Sequence, residues 1–394
     1  MRNFHYHAPT AIYSGENCIE KYSRVIRSFG QRAFIITSRF YGNCHNLALE
    51  DAERLFGQWG TDYCVYEDVE ENPSVESIVR VTEQIRAFAP DYIFAIGGGS
   101  ALDTAKAANV LLKHPAGSDA YRVFYSGSPC PNSCNAGVLP LLSIPTTAGS
   151  GSEVMGFAVL TRADTNTKLR MNQLSYFEAA FLDPRYILNS PQWLLDTGAM
   201  DALAHGVEGY YNTGSSTAER IWHDYGFRLL ATYKDNLLAE KLNMDDCGHM
   251  LVAASVQGMG IMQSGTTVPH GMGYPLTHFK NVSHGIASAM TLPAFMETIR
   301  DQALVEKIVL ECGFSDIGEF NGFIREITRR NVSITVTEEE IHAWTEEFMQ
   351  LKGRLALHPD PIDAETVKDI YRKTLADYIV PEYEDADSQQ RSAS

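Results

Sequence analysis

Asp201 and His205 stand four residues apart in GAMDALAHGVEGY, and His270 and His284 follow in PHGMGYPLTHFKNVSHG, each just before a glycine. On a helix, residues i and i+4 share one face about 5 to 6 Å apart, so a carboxylate and an imidazole there reach a common point. That pair is half of a coordination shell, and two further imidazoles complete it if the second segment packs on the first. One carboxylate with three ring nitrogens suits Fe(II) or Zn(II) and is a poor match to a soft copper thiolate site.

A second pattern follows the apolar run DYIFAI: Gly97, Gly98, Gly99 and Ser100 lead into ALDTAKAANVLLK. A strand, a glycine turn and a helix present backbone N–H groups and the helix dipole to phosphate oxygens, and glycine lets the anion approach without a Cβ clash. Ser100 and Asp103 read as a capping box that pins the helix start. Hydroxyls and amides also cluster in PTTAGSGS, residues 145–152, after the run VLPLLSI. Neither G-x-G-x-x-G nor G-x-x-x-x-G-K-[ST] is present, which excludes the ordinary dinucleotide fingerprint and the phosphoryl-transfer P-loop.

These patterns need elements to hold them. The first 150 residues alternate short strand-like runs (33–37, 64–69, 91–96 and 138–144) with amphipathic stretches. Over 74–89 the spacing predicts a helix whose stripe is Val75, Ile78, Val79, Thr82, Ile85 and Phe88. Strand and helix in alternation imply a mostly parallel sheet covered on both faces, with ligands at the carboxyl ends of the strands. Residues 114–137 interrupt this pattern as a turn-rich loop placed to flank a cofactor. Beyond about residue 190 helical periods take over, over 217–238, 245–263, 318–330 and 337–351, with Ser190 and Pro191 opening the first helix. The expected division is an α/β nucleotide-binding domain over 1–189, an all-α metal-binding domain over 190–382, and a disordered tail over 383–394.

A net charge of −17 disfavours nucleic acid and anionic membrane as partners. The N-terminus lacks a basic region leading into an apolar core, and no apolar run is long enough to span a bilayer, so the expectation is a soluble cytoplasmic protein. Seven scattered cysteines do not make a disulfide scaffold, and the Cys130 and Cys134 pair lacks a second ligand pair nearby.

Taken in order, GGGSALDTAK, IPTTAGSGSEV, GAMDALAHGVEGY and HGMGYPLTHFKNVSHG resemble the iron-activated (group III) alcohol dehydrogenases, and the likeness runs from the opening FHYHAPTAIYSG. The resemblance implies a Rossmann-like parallel-sheet domain joined to a dehydroquinate synthase-like helical metal domain, a cleft between them and a homodimer. It assigns Asp201, His205, His270 and His284 to the metal. It assigns Gly97, Gly98, Gly99 and Ser100 to the pyrophosphate, and Thr146, Thr147, Ser150 and Lys168 to further cofactor contacts, a set that Asn72 and Asp103 join. A divalent ion held by one carboxylate and three neutral imidazoles keeps a net charge of about +1 and polarises a substrate oxygen while hydride passes to or from a nicotinamide.

The sequence departs from the family twice. Where many relatives carry a histidine four residues after the third ligand, this chain has Tyr274, so hydrogen bonding to substrate falls to a phenol and proton transfer passes to His278, one turn on. Where NAD-preferring relatives carry Asp after the second-strand run, this chain has Ser38 and Arg39, which removes a repulsion and offers a phosphate partner, a lean from NAD toward NADP. The function expected is hydride transfer between a nicotinamide cofactor and a small alcohol, aldehyde or ketone. The alternatives are a lyase resembling dehydroquinate synthase and a non-catalytic nucleotide-binding protein. The lyase needs a cationic pocket for a phosphorylated substrate, and residues 268–289 supply only Lys280.

Overall fold

A computed structural model describes residues 4–38, 40, 41, 44–127, 135, 137–162 and 167–380. Its strands are β1 (Ala11–Ser14), β2 (Arg32–Thr37), β3 (Phe40–Tyr41), β4 (Cys44–His45), β5 (Asp62–Tyr66), β6 (Tyr92–Gly97), β7 (Leu141–Pro145), β8 (Val159–Arg162), β9 (Thr167–Arg170) and β10 (Ala179–Leu182). Six of them form an all-parallel sheet in the order β1-β10-β7-β6-β2-β5, while β3–β4 and β8–β9 are small antiparallel pairs. The four expected runs are therefore β2, β5, β6 and β7, and the flanking β1 and β10 are additional. Helices cover both faces, so the central β6 and β7 are buried throughout and read as unbroken apolar runs rather than alternating ones.

The expected covering helix spans Val75–Phe88, with the Ser74 side chain accepting from the Ser77 amide. Val79 points outward and Val81 is buried instead, because a stripe running through Ile78 and Ile85 takes in position i+3 and leaves i+1 about 100° away. Within 114–137 the described residues include a helix over Ala120–Tyr125 that buries Phe124. Cys130 and Cys134 lie outside the described residues, as do Arg39 and residues 381–394.

From Gln192 onward the described residues form helices, apart from an isolated bridge between Val336 and Ile379. The expected stretches appear as Thr217–Leu238, Met244–Ser264, Ile317–Asn331 and Glu338–Met349. Ser190 does not cap the first of them. Gln192–Tyr211 takes Pro191 as its N-cap with no side-chain cap, and the Ser190 amide instead closes the preceding turn on Ile187. None of the described helices is long and apolar enough to cross a membrane.

Candidate active site and metal centre

The helix Gln192–Tyr211 is buried along most of its length and carries Asp201, His205 and Glu208 at i, i+4 and i+7, one face. His270 lies in the first turn of Val268–Lys280, and His284 opens His284–Ala289. Glycines permit this close approach. A Cβ at Gly285 would stand 2.1 Å from the Thr197 carbonyl and 2.7 Å from Asp201 Cβ, so only glycine lets the His284 helix seat against the Asp201 helix.

Around Asp201 Oδ1 the Nε2 atoms of His270, His205 and His284 lie at 3.4, 3.8 and 4.0 Å. Asp201, His270 and His284 offer ligand atoms all within 4.8 Å of one another. His205 stands outside that tight trio, its ring stacked on His270 with centroids 4.6 Å apart.

The charges on this cluster call for a cation. Asp201 Oδ1 and His270 Nε2 are buried without a hydrogen-bond partner, and so are the Nδ1 atoms of His205 and His284. Burial, opposed by Asp201, lowers the pKa of His205 and of His284, which holds both rings in the neutral form that ligates metal. The Asp201 pKa is also lowered, but by a different cause. Burial alone would raise its pKa, but the surrounding imidazoles hold it below the usual carboxylate range.

No motif marks Glu208, and only its place on the helix face of Asp201 and His205 ties it to the site. It is fully buried and accepts from the Thr267 amide at 2.6 Å, from the His270 amide at 3.2 Å and from His270 Nδ1. An ionised carboxylate only accepts, so Nδ1 of His270 carries a proton and Nε2 faces the Asp201 oxygen, while, against the effect of burial, Glu208 and Asp201 push the His270 pKa up to about 10 and favour a second proton on Nε2 where no cation is bound. Two lone pairs 3.4 Å apart in a buried site repel unless a proton or metal ion lies between them. A divalent cation fits this donor set.

The candidate cofactor residues of the glycine turn and of 146–150 lie at the carboxyl ends of β6 and β7. The helix Gly99–Leu111 begins two residues earlier than a Ser100 and Asp103 capping box requires, with Gly98 as N-cap and no side chain capping it. Ser100 Oγ instead accepts from the Asn72 amide at 3.1 Å, and Asn72 Oδ1 accepts from Lys168 Nζ at 2.8 Å, so three candidate cofactor residues form one chain of contacts. Asn72 holds a left-handed φ of 55°, which asparagine tolerates better than most residues. Asp103 is spent inside the protein, accepting from Ser152 Oγ, the Val159 amide and the buried Lys106. The uncapped helix start leaves the glycine turn as the more direct anion cradle.

Loop 146–151 joins the two sites. The Thr146 amide donates to the Gly97 carbonyl at 3.0 Å. A Cβ at Gly98 would meet Thr147 at 3.1 Å, and one at Gly99 would meet Ser150 Oγ at 3.2 Å. On its other side Gly149 lies against Gly198 and Asp201, with 2.8 Å from its would-be Cβ to Gly198 Cα. Ser38, at the end of β2, offers its carbonyl to Asn46 Nδ2 at 2.8 Å.

Tyr274 lines the metal cluster, its ring parallel to that of His284 with centroids 6.1 Å apart. Its hydroxyl accepts from Arg354 at 2.6 Å. Arg354 comes from 80 residues further along the chain, and no motif announces it. His278 is exposed, edge-on to Phe279 at 4.6 Å, and is not brought into the buried cluster. Lys280, the one cation that sequence offered a phosphorylated substrate in this segment, is paired with Glu340 at 2.7 Å.

Residues 9–184 match the iron-containing alcohol dehydrogenases, and residues 196–375 match the C-terminal part of the same family. Lactaldehyde reductase of Escherichia coli is 30% identical over 292 residues, covering 71% of this chain and 74% of that protein. The chain belongs to the iron-containing alcohol dehydrogenase family. A solved iron-containing alcohol dehydrogenase of Thermotoga maritima superposes with a TM-score of 0.81 at 31% identity, over 95% of this chain and all of that one. Long-chain-alcohol dehydrogenase 1 of Geobacillus thermodenitrificans is 26% identical and covers 82% of this chain and 85% of its own length. Like the rest of the iron-containing alcohol dehydrogenases, this chain is a metal-dependent oxidoreductase that moves hydride between a nicotinamide cofactor and an alcohol or carbonyl compound, and the lyase alternative is not favoured.

Proposed function

We propose that this enzyme reduces a small aldehyde or ketone with NAD(H), using one Fe(II) held by Asp201, His205, His270 and His284. The observation that carries this reading is the cluster of buried, unpartnered Asp201 Oδ1 and His270 Nε2, aimed at each other across 3.4 Å. Iron bound there supplies a Lewis acid that draws electron density from the carbonyl. The protein does the rest. Glu208 fixes the His270 tautomer, while loop 146–151 sets the separation between the glycine cradle and the ligand helix. Tyr274, accepting from Arg354, keeps its own O–H free to donate to the substrate oxygen. A dihydronicotinamide bound at the glycine cradle would supply the hydride to the carbonyl carbon, and the oxygen, held by the Tyr274 hydroxyl, would take its proton from solvent.

Support for NAD comes from relatives: butanol dehydrogenase B of Clostridium acetobutylicum is named as NADH-dependent, and sulfoacetaldehyde reductase of Bifidobacterium kashiwanohense was solved with NAD+. The lean toward NADP rests on Ser38 and Arg39, and nothing among the described residues adds to it. The proposed division at residue 189 follows the change from strand to helix after Leu182. A homodimer is proposed from the edge position of β1 in the sheet, and light scattering on the eluted protein tests it.

The deciding experiment reloads metal-free protein with Fe(II) or Zn(II) and follows NADH and NADPH oxidation side by side over a panel of aldehydes and ketones. Metal-dependent turnover is expected, and its absence with every carbonyl overturns the reading. For the ligands, full metal content retained in both His270→Ala and His284→Ala refutes the assignment.

A further inference from the structure

Arg354 is the unusual cation of this site. The chain carries a net charge of −17, and its arginines are readily paired: Arg185, Arg228, Arg330 and Arg372 each meet a carboxylate. Among the described residues no carboxylate lies within salt-bridge distance of Arg354, although it is half-buried and the buried Glu208 is near enough to feel its charge. Its Nη1 donates to Thr266 Oγ1 at 2.9 Å and to the Thr267 carbonyl at 3.4 Å, and its Nη2 donates to Tyr274. Those three bonds orient the guanidinium. They leave Nε–H and the second Nη2–H, the edge of the fork that receives a carboxylate side-on with two parallel hydrogen bonds.

The location is as specific as the free edge. Thr267 is the N-cap of the helix that carries His270. Gly271, next to His270, faces the Arg354 stem, with 3.1 Å between a would-be Cβ and Cδ. Arg354 also lies over the Tyr274 ring at 4.9 Å, and that ring is parallel to His284. The nearby carboxylate of Glu208 is taken up by the Thr267 and His270 amides and by His270 Nδ1, so the open edge of this half-buried guanidinium, placed against the helix that presents the candidate ligands, is a recognition group for an anion.

We propose that the substrate carries an oxyanion, a carboxylate, phosphonate or sulfonate, that the Nε and Nη2 edge of Arg354 holds side-on while the carbonyl group lies toward His284. This inference rests on the carbonyl-reductase reading above. Tyr274 is then part of the same device: where a histidine would compete for the anion, a phenol accepts from the guanidinium and keeps it in place.

The test compares kcat/KM for charged and neutral carbonyls of matched length in the Fe(II)-loaded enzyme. 4-Oxobutanoate is set against butanal, and phosphonoacetaldehyde and sulfoacetaldehyde are set against propanal. At least a tenfold preference for one anionic member is expected in the wild type, and the arm that shows it identifies the oxyanion. Arg354→Met should collapse that ratio toward one, with the loss in KM. Arg354→Lys, which keeps the charge without the fork, should fall between. Succinate, which has no carbonyl to reduce, should compete with 4-oxobutanoate in the wild type if the carboxylate arm is preferred, and lose that competition in Arg354→Met. Turnover of neutral aldehydes at rates equal to the charged ones in the wild type overturns the proposal while leaving the reductase reading intact. An equal loss on both members of a pair in Arg354→Met and Arg354→Lys assigns Arg354 a purely structural role and also overturns it. No turnover of any carbonyl removes the reductase reading itself.

Discussion

Glu208 receives the Nδ1 proton of His270 in a pair that is buried on both sides, and the same carboxylate takes the amides of Thr267 and His270. One side chain thus fixes both the start of a helix and the tautomer of a ligand on it. Glu208→Gln removes the charge while keeping the shape. It is expected to weaken metal affinity by about 10- to 100-fold, read by competition with a graded series of chelators. Unchanged metal affinity would show that the pair is only structural.

Glycine contacts set how near the ligand helices come. Gly285→Ala puts a methyl group 2.1 Å from the Thr197 carbonyl, where backbone and not a flexible side chain must give way. The expected result is loss of bound metal together with a stability loss of about 1–3 kcal/mol or more. Gly322→Ala is the control. It lies in an exposed part of Ile317–Asn331 with nothing within 4 Å of its Cβ, and should stabilise by about 0.5–1 kcal/mol. Thermal unfolding and metal analysis on both variants separate the two effects.

Asn72 bridges Ser100 and Lys168 from a left-handed backbone. Asn72→Gly keeps that backbone accessible and removes the amide, whereas Asn72→Ala loses both. Both should raise the KM for the dinucleotide by roughly tenfold, the worth of about one charge-assisted hydrogen bond, and Asn72→Ala alone should also lower the melting temperature. An unchanged KM in Asn72→Gly would remove the bridge from the cofactor site.

His223 is fully buried against Gln257, and burial pushes its pKa down to about 4. Between that value and about 6.5 the unfolded chain binds a proton that the native state refuses, so stability falls as pH drops through this window. His223→Gln should be less stable than wild type at neutral pH yet less acid-sensitive, with the pH 7 to pH 5 loss smaller by roughly 2 kcal/mol. Urea unfolding at the two pH values measures it, and parallel slopes in both proteins would disprove it.

Much of this molecule could be read in advance, for identifiable reasons. β2, β6 and β7 announce themselves because strands buried on both faces are apolar runs, the edge strand β5 because it is rich in aromatic and β-branched residues, and the candidate ligand residues because metal chemistry restricts residue type and spacing. Edge strands such as β1, with burial only partial, carry no such run. The Ser100 and Asp103 box failed because the helix gained a turn's start at Gly99 and both side chains found partners far away in sequence. Glu208 was within reach of helical periodicity alone. Arg354 was not, since only the folded chain brings residue 354 to the Tyr274 hydroxyl.

Loop 146–151 touches the glycine cradle on one side and the Asp201 helix on the other, with backbone against backbone at Gly149 and Gly198. Packing that tight leaves no room for a displacement, so any shift of the loop on nucleotide entry would be felt at the carboxylate. Metal and dinucleotide would then be thermodynamically linked ligands: each would change the dissociation constant of the other by one common factor, and a graft of either half onto another scaffold would forfeit that coupling.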